Sequence, residues 1–432
     1  MTNRIHLISL LLLIAVSGYA QQEDSLNVDQ AIRLTLETSQ ALRSVDAMVL
    51  GSRARVRQAE SMFLPQVGAL ADYTRVGPIA EFAIPGLGAL PLNPPNNVDA
   101  HVSAAYVIYD FGRRNSILAA ANSGIAVSED SRAVLRSALT QQAIRAFFSV
   151  MFLQRSVDVQ VQQIESLTRH LEDTRRRVES GSATEFDELS TSVRVAQAQN
   201  QRIDLEKSLH DEETTIRKLT GAAWDAAINP SGDFRIGVLS AGVDSLLGIA
   251  RQARPDLLAA RNLLEQARVT RSAIATGNAP KVLVHAGYGL KNGYEPNIDA
   301  IRGNWSVGGT IEVPIFEGGI TSARVEEADA GILASELRYK DLERSAEAEV
   351  RQALFGVRSA EAKISATTLQ VSQAERAVEN ARVRYQSGAG TNLDVLDAET
   401  NVASSRLQQL QALFQSVLAQ SSLKASVGLY AR

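Results

Sequence analysis

The sequence predicts a mainly α-helical protein that also carries membrane-type β-strands: four strands and long coiled-coil helices per chain, written as two internal repeats. Three observations carry this prediction. Part of the chain recurs at a fixed offset of 207 residues, two very long runs lack proline, and four segments alternate apolar with polar side chains.

The repeat is clearest in Ser180-Gly181-Ser182-Ala183-Thr184-Glu185-Phe186-Asp187-Glu188-Leu189, echoed by Ser387-Gly388-Ala389-Gly390-Thr391-Asn392-Leu393-Asp394-Val395-Leu396. Tyr109-Asp110-Phe111-Gly112 falls on Phe316-Glu317-Gly318-Gly319 at the same offset, so the copies stay in register far beyond one helix. Upstream, Pro65 and Tyr73 match Pro280 and Tyr288 at an offset of 215, as Val28 and Asp29 match Val243 and Asp244. The first copy thus holds eight extra residues between Tyr73 and Tyr109. They fall in Ile84–Gly88 and Pro91–Asn97, where Pro, Gly and Asn give turn and loop chemistry. The expected layout is a first repeat over 21–220, a linker over 221–242 and a second repeat over 243–432.

Before the first repeat, Arg4, an apolar run from Leu7 to Val16 and the small-residue end Gly18-Tyr19-Ala20 read as a secretory signal peptide over 1–20, cut after Ala20. The chain has no cysteine, which excludes a disulfide framework and a lipid-modified cysteine. An opening helix then runs from Val28 toward Pro65. No later stretch approaches the about 20 apolar residues of a transmembrane helix, so any membrane crossing must use strands.

Strands are expected at about 66–75 and 98–109, and again at about 281–290 and 305–314. Val67, Ala69, Ala71 and Tyr73 share one face; so do Val98, Ala100, Val102, Ala104, Tyr106 and Ile108. The second copy offers Val282, Val284, Ala286, Tyr288 and Leu290, then Trp305, Val307, Gly309, Ile311 and Val313. Runs of about 10 residues with one apolar face suit a membrane barrel. Four strands cannot close a barrel, and an open sheet cannot sit in lipid. Several chains must therefore share one barrel, two supplying eight strands or three supplying twelve, and the spacing does not choose between them.

The long helices are expected at about 112–179 and 319–386, each followed after a Gly turn by a second helix, at about 184–220 and 391–428. At about 1.5 Å per residue a run of that length reaches roughly 100 Å, deeper than any compact core. The helices must pack on one another. Ile164, Leu167, Leu171, Thr174 and Val178 repeat at spacings of three and four, as do Val371, Ala374, Val378, Ala381 and Tyr385. Such mixed, small seams suit close packing among several helices. Pro230, Gly232, Gly237 and Gly242 break the helical pattern between the repeats and read as a loop with little structure.

Composition excludes other classes. With 48 acidic against 44 basic residues the net charge is -4, so no basic footprint for nucleic acid is present. Aromatic residues make up only 5% of the chain, against a sandwich or a large aromatic core. His6, His101, His170, His210 and His285 are scattered without metal-ligand spacing. Four methionines, Met1 among them, argue against a soft-metal relay. No enzyme, metal site or cofactor is expected.

These residues together resemble the TolC family of outer-membrane efflux proteins over essentially the whole mature chain. Tyr109-Asp110-Phe111-Gly112-Arg113 and Pro314-Ile315-Phe316-Glu317-Gly318-Gly319 resemble its strand-to-helix corner. Tyr385-Gln386-Ser387-Gly388 through Asp394-Val395-Leu396-Asp397 resembles its Tyr-x-x-Gly turn and Asp-Val-Leu-Asp helix start. Val28–Pro65, with Ala31, Leu36 and Leu42, resembles its opening helix. The resemblance implies a homotrimer with a 12-stranded barrel in outer-membrane lipid and an α-helical tunnel whose Gly turns lie at the periplasmic mouth. It also implies docking to a periplasmic adaptor and an inner-membrane pump, with the linker forming part of an equatorial belt.

Candidate site residues cluster at the Gly turns, marked by Gly181, Gly388 and Gly390. Asp394 and Asp397, with Asp187 and Glu188 in the first copy, would ring the narrowest part of such a tunnel, where charge sets the sign of the ions admitted. A competing role is local: Thr184 with Asp187, and Thr391 with Asp394, fit the Thr-x-x-Asp helix-start box. Asp397 is not needed for that cap and is the better pore-lining candidate. By the resemblance Tyr385 helps close the mouth, while Gly390 stands where the family has an Arg, a departure from the family's pattern at the ion-pair part of that lock. Three functions follow: an exit duct for small molecules or drugs, the exit duct of a type I protein-secretion system, or a purely structural periplasmic coiled coil.

Overall fold

The computed structural model describes residues 25–84 and 88–431. The signal peptide expected over 1–20 lies outside the described residues. The described chain divides into two compact units, one of residues 25–38, 142–236 and 362–418, the other of residues 39–141, 237–361 and 419–431.

The second of these contains the strands. A four-stranded antiparallel sheet runs in the order β1 (Gln66–Arg75), β4 (Asn96–Tyr109), β5 (Lys281–Lys291) and β6 (Arg302–Glu312). Pairing aligns Ala69 with Val102, Val102 with Tyr288 and Tyr288 with Trp305. One apolar face therefore runs unbroken across the sheet, since residues aligned across a ladder share a side. It is not covered within the chain: Val67, Tyr73, Tyr288, Trp305, Val307 and Ile311 are each more than 60% exposed. β1 and β6 are both left as unpaired edges.

The fourth strand starts at Arg302, which pairs with Lys291, and ends at Glu312, earlier than the alternation suggested, because Pro314 cannot donate to a ladder. The loop expected after the first strand is also more ordered than its Pro and Gly content implied. It holds a short hairpin, β2 (Glu81–Ile84) with β3 (Gly88–Pro91). Residues 85–87 at its tip lie outside the described residues.

The sheet's exits repeat one geometry. At the first exit Phe111 and Gly112 take φ of +52° and +87°; at the second, Gly318 and Gly319 take +63° and +81°. Two successive left-handed residues turn the strand into the long helix in both copies, and Phe111 is the one non-glycine among the described residues that accepts that conformation. Asp110 accepts from the Arg114 backbone N–H at 3.1 Å and its Nε at 2.8 Å. That locks the start of α3 (Arg113–Glu179).

The opening helix is two helices, α1 (Val28–Thr38) and α2 (Gln40–Ser61), not the single one the sequence suggested. Ser39 breaks it by capping α2, its side chain accepting from the Leu42 backbone N–H. The second repeat opens with α5 (Val243–Ala253) and α6 (Pro255–Ala275), with Pro255 at the first turn of α6, where no N–H is required. The remaining helices are α4 (Glu185–Thr220), α7 (Ile320–Gln386) and α8 (Asn392–Ser426).

In the strand-bearing unit a core of Leu246, Ala250, Val350, Val357, Leu423 and Val427 joins α5 to α7 and α8. Buried Arg254 is held by Asp256 at 2.6 Å and Glu349 at 2.7 Å. Burial opposes its charge, but these carboxylates hold its pKa above the ordinary value. α8 stops at Ser426, two residues short of expectation, because Gly428 turns left-handed at φ +82°. A Cβ there would lie 2.3 Å from the Ala253 carbonyl oxygen. Gly428→Ala should cost about 2–4 kcal/mol, combining left-handed strain with overpacking, read as a lowered Tm of the purified protein. An unchanged Tm would mean that the chain end is not docked on α5.

The other unit is built on the aromatic stretch of α3. Ile144, Phe147, Phe148 and Val150 are almost fully buried. Phe148 faces Phe234 at 6.1 Å, and Phe152 stacks on Phe414 at 5.3 Å. The linker has little regular structure but is firmly tied. Gln154 donates to the Ile228 carbonyl at 3.0 Å, Arg217 to the Ala226 carbonyl at 2.9 Å, and Leu26 bridges to Pro230. Of the expected seam residues, Leu167, Leu171 and Thr174 are buried, while Val371, Ala374, Val378 and Ala381 are half-buried. Among the described residues no helix is long and apolar enough to cross a membrane.

Candidate functional site

The two Gly turns lie together in the helical unit. Gly181 and Gly388 each take φ +76°, and the Ser182 and Ala389 amides reach back to the carbonyls of Arg177 and Arg384, at 2.7 and 2.9 Å. This is one turn geometry used twice. Gly390 does not need a left-handed backbone. It matters for packing, since a Cβ there would meet the Arg384 Cβ at 3.1 Å and the Tyr385 amide at 3.2 Å.

Both helix-start boxes form. The Thr184 hydroxyl accepts from the Asp187 N–H at 3.2 Å, and the Asp187 carboxylate accepts from the Thr184 N–H at 3.0 Å. Thr391 and Asp394 repeat this at 3.2 and 2.9 Å. The Thr391 backbone N–H, then its hydroxyl, hold the Asp394 carboxyl below the usual carboxylate range. Asp187 and Asp394 thus both act as caps, Asp187 half-buried and Asp394 exposed.

The other two carboxylates have cationic partners. Glu188 accepts from Arg175 at 2.8 Å, and Asp397 faces Arg194 at 3.3 Å. Tyr385 is clasped by the first copy, its ring 5.3 Å from that of His170 and 4.6 Å from the Arg177 guanidinium. Its phenol oxygen is shielded and has no hydrogen-bond partner. Arg177 also donates to the carbonyls of Tyr385 at 3.3 Å and Gln386 at 3.5 Å. An arginine from α3 therefore binds this turn, although Gly390 supplies none.

Two groups escaped the sequence reading. Asn392, only 5% exposed, accepts from the His170 ring at 2.7 Å. It donates to the Asp187 carbonyl at 3.1 Å and to Thr191 at 3.1 Å. Glu399 is equally buried and is bonded by Arg382, through Nε at 2.9 Å, and by the Ser166 hydroxyl at 3.0 Å. The repeat carried a signal for the first: Asn392 stands where the first copy has exposed Glu185, and such asymmetry between copies marks where one hairpin inserts into the other. Among the described residues, no group of three or more His, Asp or Glu could hold a metal.

An open sheet with one bare apolar face, two 67-residue helices and polar Gly-turn tips define a channel subunit of the outer membrane, reaching into the periplasm. The chain belongs to the outer membrane efflux protein family, whose model matches residues 31–222 and 246–429. It is 25% identical over 93% of its length to the pyoverdine export outer membrane protein OpmQ of Pseudomonas aeruginosa, covering 84% of that protein. It is 26% identical over 67% of its length to the alkaline protease secretion protein AprF of the same organism, covering 61% of that protein. The crystal structure of the outer membrane protein VceC from Vibrio cholerae superposes with a TM-score of 0.79 at 22% identity, over 93% of this chain and 96% of that one. The fold is that of the trimeric channels, in which three such sheets close a 12-stranded barrel continued by an α-helical barrel. The chain is the exit duct of an efflux system.

Proposed function

We propose that this channel exports small molecules, docks a periplasmic adaptor and an inner-membrane pump through its Gly-turn end, and admits ions past a carboxylate ring at that mouth. The observation that carries the small-molecule reading is coverage. Similarity to a pyoverdine exporter runs along nearly the whole chain, whereas similarity to a protease secretion protein covers two thirds of it. Exposed Phe186, Leu189 and Val193 on α4 give the adaptor an apolar stripe beside the turn. Asp394 and Asp397 supply the ring, and Tyr385 with Arg177 the closure.

Deleting the gene should raise accumulation of an amphiphilic dye in cells several-fold and leave the set of secreted proteins unchanged, with the plasmid-borne gene restoring efflux. Retained exoproteins with normal dye efflux would favour protein secretion instead. In detergent the purified protein should have the mass of three chains; a stable monomer would remove the shared barrel.

A further inference from the structure

The last turns of α3 and α7 enclose a cleft of about 440 Å³. Four arginines line it, Arg169, Arg176, Arg177 and Arg382, against a single acid, Asp173. Asp173 is taken by Arg176, and Arg382 by Glu399. Arg177 spends two donors on the α7 carbonyls, which also cancels the partial negative charge of that helix end. Its fork has five N–H groups, so donors remain. Arg169 forms no ion pair or hydrogen bond among the described residues. Tyr385 lines the same cleft with a phenol that lacks any partner, although a shielded tyrosine hydroxyl normally finds one.

The cleft thus combines surplus positive charge, a free guanidinium and an orphan hydroxyl, and lacks one thing, an acceptor. We propose that it binds a small oxyanion, a phosphate- or carboxylate-bearing group, held by Arg169 and Arg177 of α3 and by the Tyr385 hydroxyl of α7. Guanidinium forks match such groups bidentately. Because the donors come from two helices, the bound anion ties α3 to α7. If the turns form the mouth, as proposed above, the anion holds it shut; the binding itself does not depend on that reading.

The test uses the full-length protein in detergent, titrated calorimetrically with inorganic phosphate and separately with succinate, at constant ionic strength against chloride. Phosphate or succinate should bind with measurable heat and perturb the tyrosine ultraviolet spectrum. Arg169→Gln should weaken binding at least tenfold without lowering the melting temperature, since Arg169 holds no partner in the fold. Tyr385→Phe should weaken it several-fold and abolish the spectral change. Binding of one anion and not the other identifies the group taken, and either result supports the site. No heat from either anion, or equal binding by Arg169→Gln, which would indicate an adventitious ion only, overturns it. In planar bilayers the anion should lower conductance. Binding with unchanged conductance would keep the site and remove the turns from the mouth.

Discussion

Replacing Asp394 and Asp397 together by alanine is expected to abolish most of the cation preference of the reconstituted channel and to relieve its block by trivalent cations. If the Gly turns form the mouth, as proposed above, three chains place six carboxylates there from these two positions. In a water-filled constriction no wider than the Debye length, about 8 Å at physiological salt, such a ring concentrates cations and repels anions. The two positions should not contribute equally. Asp397 faces Arg194 at 3.3 Å and is partly neutralised, whereas Asp394 pairs with backbone and hydroxyl groups of Thr391 and keeps its full charge. Asp394→Asn should therefore carry the larger share of the lost selectivity while retaining an acceptor for the Thr391 N–H. Asp394→Ala removes the cap as well, at about 1 kcal/mol, so the difference between the two variants separates capping from field. Selectivity that survives the double alanine variant, read as an unshifted reversal potential in a salt gradient, would make these carboxylates structural only.

The elements that the sequence displayed best are those whose physics is periodic and local. Proline-free runs, alternation at Val67 to Tyr73 and the Thr-x-x-Asp boxes all read directly, because each depends on neighbours within a turn or a pleat. What stayed hidden depends on distant partners. The break at Ser39 looked like helix interior until its side chain was seen capping α2. Asn392 and Glu399 look like ordinary polar residues on a helix, and only the packing of α8 against α3 buries them with His170, Ser166 and Arg382. The Arg expected in the turn was missing, and Arg177, more than 200 residues away in sequence from the turn it binds, takes over the carbonyls of Tyr385 and Gln386. The Gly turns and their capping acids are local and legible, but the side chains that tie the turns together come from far away in sequence.

Those ties set the second large effect. Glu399 is almost wholly buried, and its charge is balanced by Arg382 and the Ser166 hydroxyl. Arg382→Ala would leave an uncompensated carboxylate at the packing of α3, α7 and α8, a class of change that costs about 3–5 kcal/mol when both partners are buried. Arg382 is itself 41% exposed, so solvent screening reduces that figure here. The strain should be relieved by parting α7 from α3, which leaves the sheet and the Leu246 core untouched. The expected result is a several-fold rise in single-channel conductance from an intact trimer. Glu399→Gln keeps an acceptor for Ser166 and removes the charge that demanded Arg382, so it should open the mouth less than Arg382→Ala does. Two results would count against the latch: unaltered conductance in Arg382→Ala, or Glu399→Gln opening the channel more widely than Arg382→Ala. Arg406→Ala is the matching control, because Arg406 pairs with exposed Glu375 at 2.7 Å and donates to Gln162 at 3.0 Å, linking the same three helices without a buried charge. An exposed pair contributes about 0–1 kcal/mol, and its loss should leave conductance near that of the unmodified channel.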